Sequence, residues 1–155
     1  MKITSKHIAI YRAADACAEA LAWAEAEPRQ YEDAPAQWRT WVAANPATPP
    51  AVLEALKDDA TAMVRAWVAA NSNTPPKVLA SLKDDRDEWV RRNLADNPAT
   101  PPETLAALKD DAAAMVRVCL AGNPATPPET LAALRDDPDE WVCCWLAANK
   151  FPGRR

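Results

Sequence analysis

The sequence predicts an all-α solenoid of short helix pairs with no β-sheet. Three observations predict it: a 26-residue repeat, apolar positions at helical spacing inside each repeat, and 15 prolines against 2 glycines in 155 residues. Average usage puts glycine above proline, at about 7% and 5%. Two glycines cannot supply the turns of an all-β sandwich or barrel. So many prolines would suit a disordered chain, but 49% apolar residues and 7 tryptophans supply a core that disordered chains lack. The prolines are therefore read as helix punctuation.

The elements follow in order. Residues 5–27 read as one amphipathic helix with Ile10, Ala14, Cys17, Leu21 and Ala24 on its apolar stripe, ending before Pro28. Residues 1–27 are expected to cap the stack. Residues 28–44 are a half repeat, because residues 37–44 align with residues 63–70. Asn45, Asn71, Asn97 and Asn123 then open the repeats 45–70, 71–96, 97–122 and 123–148, and residues 149–155 form a tail. The whole chain is read as one domain.

Every repeat begins Asn-x-x-Thr-Pro-Pro. Leu53, Leu79, Leu105 and Leu131 hold the ninth position, and Leu56, Leu82, Leu108 and Leu134 the twelfth. An Asp pair follows (58–59, 84–85, 110–111, 136–137), then Val64, Val90, Val116 and Val142 at the twentieth. Self-similarity at a fixed period marks stacked supersecondary units.

Within a block, the fourth-position Thr (Thr48, Thr74, Thr100, Thr126) is expected to cap the first helix. A proline at the first helical position costs little, since its missing N–H has no partner there. Thr100 with Glu103 and Thr126 with Glu129 have capping-box spacing. The first helix is short enough to be α or 3₁₀. The second Asp of each pair is expected to cap the second helix. On that helix Val64, Trp67 and Val68 are expected to share a face, as are Val142, Trp145 and Leu146. In three blocks the opening Asn precedes proline, which disfavours a left-handed cap. The side chains of Asn45, Asn71, Asn97 and Asn123 are expected instead to form a ladder onto backbone groups of adjacent repeats.

The Asn-Pro-x-Thr-Pro-Pro openings, the Leu-x-x-Leu pairs, the Asp pairs and the Val-Arg-x-x-Leu/Val-Ala endings resemble the leucine-rich repeat variant family over roughly residues 32–149. The resemblance implies a right-handed superhelix of alternating α and 3₁₀ helices. Some members of that family carry an iron–sulfur centre on cysteines ahead of the repeats. Here Cys17 stands alone in that region, so no cluster and no other cofactor is expected.

Charge and composition narrow the function. A net charge of −4 argues against nucleic acid or an anionic membrane as partner. One histidine, His7, nearly excludes His-based catalytic pairs and most zinc sites. No stretch approaches the ~20 apolar residues of a membrane span. Arg12 and Asp15 interrupt the first apolar run before signal-peptide length. A cytoplasmic location follows as the default. Cys17, Cys119, Cys143 and Cys144 show no C-x-x-C spacing. The last three sit late in expected helices, where the dipole disfavours a thiolate, so they are read as filler. The Asp pairs lack the Gly-assisted loop of a calcium site, and no metal is expected.

Two series remain. Arg39, Arg65, Arg91 and Arg117 recur at the twenty-first position, where the last block has Cys143. They would make a basic stripe for an anionic ligand or, as preferred, an ion-pair ladder to the next block's Asp. Each exposed link would contribute about 0–1 kcal/mol. At the nineteenth position the blocks alternate Met63, Trp89, Met115, Trp141, with a true period of 52 residues. Core packing of large against small is the preferred account; exposure of Trp89 and Trp141 as interface anchors at the edge of the buried stripe is the other.

The last helix is almost wholly apolar, where a polar cap suits solubility. Either Phe151 folds over it, or it docks on a second copy or another protein. Arg135 against Glu129, Asp136, Asp137, Asp139 and Glu140 would suit a basic partner. The candidate partner-binding residues are Trp89, Arg92, Glu140, Trp141, Cys144, Trp145 and Phe151. The function expected is a non-enzymatic scaffold for a protein or peptide. The alternative is a regulator or inhibitor docking on an enzyme or toxin through the apolar C-terminal repeat.

Overall fold

The structure is a computed structural model, and it describes residues 36–148. The expected helix 5–27, Cys17, the start of the half repeat, Phe151 and the tail lie outside the described residues. Among the described residues there is no strand. The helices are α1 (Ala36–Ala44), α2 (Pro50–Leu56), α3 (Ala62–Ala70), α4 (Pro76–Ser81), α5 (Glu88–Asp96), α6 (Pro102–Ala107), α7 (Ala114–Gly122), α8 (Pro128–Ala133) and α9 (Glu140–Ala148). A 3₁₀ turn, Leu134–Asp136, follows α8.

The second helices of successive blocks stack in order, α1 on α3, α3 on α5, α5 on α7 and α7 on α9. The described residues form an all-α solenoid. Val64, Val90, Val116 and Val142 are fully buried between these layers, and Leu53, Leu79 and Leu105 reach them from the short first helices. Deleting any one of those leucines to Ala would cost about 2–5 kcal/mol by transfer and cavity terms.

The first helices are α over six or seven residues, and among the described residues a 3₁₀ assignment is confined to the turn after α8. Each tightens at its end, as where Leu82 N donates to Leu79 O. The alternation of α and 3₁₀ helices that the resemblance implies is therefore reduced to these ends.

Both expected caps shift. The first proline of each pair is the N-cap, in extended conformation (Pro49 φ −61°, ψ 144°), and its carbonyl receives Val52 N and Leu53 N. The Thr stands one residue outside the helix. Its N–H closes a turn onto the Asn carbonyl, as Thr100 N does on Asn97 O at 3.0 Å. Its hydroxyl then faces backward and donates to the preceding helix, Thr100 Oγ1 to Leu94 O at 2.7 Å. The capping boxes of Thr100 with Glu103 and Thr126 with Glu129 therefore do not form: neither first helix has a side-chain cap bond, and both glutamates are exposed.

The second Asp of each pair lies two residues ahead of the second helix's N-cap. It accepts the N-cap amide, as Asp85 Oδ1 does from Asp87 N at 2.9 Å. Asp87 and Asp139 then accept the amides of Trp89 and Trp141.

Helix ends explain the missing glycine. Asn71, Asn97 and Asn123 close α3, α5 and α7 in extended geometry (φ −73 to −76°). No described residue has positive φ, so the left-handed C-cap that favours glycine is not used.

Candidate functional site

Two ladders hold the repeats in register and turn one helix face outward. In the first, Asn97 Nδ2 donates to Asn71 O at 3.1 Å, which opens the previous block, and to Ala69 O at 2.7 Å, at the end of the helix just ahead of it. Its Oδ1 accepts Ala99 N at 2.9 Å. Asn71 and Asn123 repeat the pattern on Ala43 and Asn45, and on Ala95 and Asn97. The three are 3–5% exposed. Asn45 makes the local bond to Ala47 N.

In the second ladder, each Arg reaches the second Asp of the next block. The pairs are Arg39–Asp59, Arg65–Asp85, Arg91–Asp111 and Arg117–Asp137, with Nε–Oδ2 distances of 2.5–2.7 Å. Each is bidentate through Nη2. Their side chains are at most 17% exposed, which corrects the expectation of exposed links. The local reason is the pair of turns around them. Arg65, Arg91 and Arg117 also donate through Nη1 to Asp59 O, Asp85 O and Asp111 O of their own block, so each guanidinium is clamped between two Asp turns. Cys143 stands in the equivalent place, its thiol on Asp137 O and Arg135 O.

The Arg65–Asp85, Arg91–Asp111 and Arg117–Asp137 pairs favour their charged forms. The hydrogen bond to Asp85 holds the Arg65 guanidinium above its usual pKa against burial, and Arg91 and Arg117 are raised in the same way by Asp111 and Asp137. Burial pushes the Asp85 and Asp111 carboxyls up, but the arginine bond, a backbone amide and arginine charge together leave both below the ordinary carboxylate value. For Asp137 the Arg117 bond itself dominates, in the same downward direction.

The opposite, outward side of the second helices carries the large exposed apolar residues. Met63, Trp89, Met115 and Trp141 at the nineteenth position are 53–77% exposed. That overturns core packing as their role. Trp41, Trp67 and Trp145, four residues further along their helices, are 41–49% exposed. Trp67 and Trp145 therefore do not share the face of Val64 and Val142. Side chains at i and i+4 lie one above the other on a helix, so the two positions form one stripe across α1 to α9. Trp38 instead is buried.

Trp89, Arg92, Glu140, Trp141, Cys144 and Trp145 are brought onto or beside this stripe. The Arg92 guanidinium lies 4.8 Å from the Trp89 ring centroid, within cation–π range. The sequence reading missed Trp41, Met63, Trp67 and Met115 as parts of the same surface. The i, i+4 step from nineteenth to twenty-third position was the available signal. Gly122 also belongs here: a Cβ on it would meet Trp145 Nε1 at 2.7 Å, so the indole rests on the bare backbone of the previous repeat.

Other chemistry is sparse. Among the described residues no group of three or more His, Cys, Asp or Glu could hold a metal ion. Burial pushes the Cys119 thiol up, against a lowering contribution from Arg92. A pocket of about 350 Å³ lies between the blocks 45–70 and 71–96, but its Arg65 and Asp85 already pair with each other. Among the described residues no helix is long and apolar enough to cross a membrane.

Residues 115–139 match the family described as Leucine rich repeat variant. That stretch holds the buried Val116, Leu120 and Leu134, the ladder residues Arg117, Asn123 and Asp137, and the turn residue Thr126. The same contacts recur at the same spacing in the preceding blocks. Over that stretch the chain is similar to leucine rich repeat variant repeats. No curated protein and no solved structure matches the chain. In these repeats the recurring positions are spent on stacking, and the nineteenth position, which differs between blocks, faces outward on the tryptophan stripe.

Proposed function

We propose that the chain is a non-enzymatic scaffold that binds a protein or peptide along the stripe running from Trp41 to Trp145. The continuity of the stripe carries this reading. Five successive second helices each present at least one large apolar side chain to water, whereas exposed hydrophobics scattered singly would need no explanation. Tryptophan is the side chain most enriched at interface hot spots. The charged groups behind the stripe are held in ion pairs, which fits a structural duty better than a catalytic one. The alternative, an inhibitor docking only through the last repeat, uses Trp141 and Trp145. The stripe's extension to Trp41, Met63 and Trp67 favours binding along its length.

The test is selection from a random peptide display library against the wild-type chain. Selected peptides should lose affinity at least about tenfold, or 1.4 kcal/mol, on a Trp67→Ala, Trp89→Ala, Trp141→Ala variant whose melting temperature is unchanged. Peptides that bind the variant as tightly as wild type would move the binding surface elsewhere.

A further inference from the structure

We infer that the segment this face receives is basic and proline-rich, lying across the second helices as a polyproline II helix. The inference rests on the stripe being a binding surface and names what that surface fits. Spacing, hydrogen-bonding capacity and charge each select it.

Packed helices lie ~8–10 Å apart, so the stripe offers an apolar contact at about that interval. Polyproline II rises ~3.1 Å per residue with three residues per turn, or ~9.3 Å per turn. One turn therefore falls on each second helix. A β-strand returns to one face every ~6.6–6.8 Å and an α-helix every ~5.4 Å. Both drift out of step along five helices.

The backbone groups of the second helices are bonded within those helices, so the face has no open edge to pair with a strand. Its donors include the indole N–H groups of the exposed Trp67, Trp89 and Trp141. A polyproline II segment keeps its carbonyls unbonded and available to such donors. Its prolines carry no N–H to strand against an apolar surface. This is the hydrogen-bonding complement of a row of indoles.

Charge fixes the sign. The triplets Asp87-Glu88-Trp89 and Asp139-Glu140-Trp141 place carboxylates beside the nineteenth-position tryptophans, and Glu88 and Glu140 are exposed. Asp96 is exposed at the end of α5. Against these stand Arg92, stacked on Trp89, and the exposed Arg86 just ahead of the first triplet, while Arg91 and Arg117 are held in the buried ladder. The second triplet has Pro138 where the first has Arg86 and so carries its acids unopposed in that turn. The two triplets lie two helix steps apart, ~16–20 Å, and six polyproline II residues span ~18.6 Å. Basic residues six apart in the ligand would meet both.

The probe is a fluorescein-labelled peptide of four Lys-Pro-Pro triplets, read by anisotropy at low ionic strength. Four Lys-Ala-Ala triplets match its charge without its conformation, and four Glu-Pro-Pro triplets match its conformation with the charge reversed. The Lys-Pro-Pro peptide should bind saturably, at least about tenfold tighter than either control. A Trp89→Ala, Trp141→Ala variant should weaken it by a similar factor. A Glu88→Lys, Glu140→Lys variant should reverse the preference toward Glu-Pro-Pro. Circular dichroism should show both variants folded, as expected for changes at exposed positions.

Equal binding of Lys-Pro-Pro and Lys-Ala-Ala would overturn the conformation, and preference for Glu-Pro-Pro would overturn the sign. Failure of Lys-Pro-Pro to bind, while display-selected peptides still need the tryptophans, would overturn this occupant and leave the binding face standing. If no peptide from either source depends on the tryptophans, the face itself is lost.

Discussion

Arg91 and Asp111 sit twenty residues apart in sequence and share a two-point ion pair, Nε to Oδ2 at 2.6 Å and Nη2 to Oδ1 at 3.1 Å. The same guanidinium donates to Asp85 O at 2.7 Å, while Asp111 Oδ1 also accepts Ala113 N at 2.9 Å. One side chain thus ties the turn ahead of its own second helix to the equivalent turn of the next repeat.

Arg91→Met should therefore be costly, because it leaves the Asp111 charge buried without a partner. Loss of one member of a buried pair costs about 3–5 kcal/mol, read as a fall in the urea midpoint. Adding Asp111→Asn should restore much of the loss by removing the stranded charge. A cost under about 1 kcal/mol, typical of exposed pairs, would mean the ladder is not desolvated in solution.

The same pairs set an acid limit. Asp85, Asp111 and Asp137 have folded-state pKa values below ordinary, so in acid the unfolded chain binds more protons than the folded one. The contribution is fully present above the unfolded value of ~3.9 and is lost as pH falls through the folded values. Melting temperature should be insensitive to these groups from pH 7 to 5 and fall steeply below about pH 4. In the Arg91→Met, Asp111→Asn variant that fall should be shallower; an identical acid slope would exclude this pair from it.

Asn97 donates both amide protons into buried carbonyls and accepts with its oxygen. Asn97→Ala leaves Ala69 O without that bond, at about 1–3 kcal/mol for an unsatisfied group, while Asn71 O keeps the turn bond from Thr74 N. Asn97→Asp should be worse near neutral pH, because it aims a carboxylate at the same two carbonyls. Thermal melts of the two variants rank them, and an Asp variant as stable as wild type would refute the geometry.

Much of the stack was legible because a repeat states its own register. Val64, Val90, Val116 and Val142 mark the core by recurrence alone, and an Arg opposite an Asp at constant offset suggests a ladder before any distance is known. Recurrence does not report burial, so the depth of the Arg91–Asp111 pair was misjudged. It also does not report which way a hydroxyl points. Thr100 has capping-box spacing to Glu103, yet the turn closed by its own amide aims it at Leu94. The tryptophan stripe was half seen, since periodicity at one position hides a face shared between two positions four apart.

The threonine geometry predicts an ordering. Thr100→Val keeps the shape but loses the bond to Leu94 O, and should destabilise by about 1 kcal/mol or more. Thr100→Ser keeps the hydroxyl and should cost less. Glu103→Ala, at an exposed position, should be within about 0.5 kcal/mol of wild type. A Glu103→Ala loss as large as that of Thr100→Val would revive the capping box.

Gly122 and Trp145 should be energetically coupled. Replacing glycine by alanine within a helix gains up to about 1 kcal/mol, less at the final residue of α7. In the wild-type background that gain is opposed, because the new Cβ would meet Trp145 Nε1 at 2.7 Å and the half-exposed indole must swing outward, surrendering apolar burial. In a Trp145→Ala background nothing opposes it. Gly122→Ala should therefore be neutral or destabilising alone and stabilising beside Trp145→Ala, with a coupling of about 0.5–1 kcal/mol in a double-mutant cycle. The single variant should also red-shift tryptophan emission as Trp145 moves into water. Additive energies with unchanged emission would show that the indole does not rest on α7.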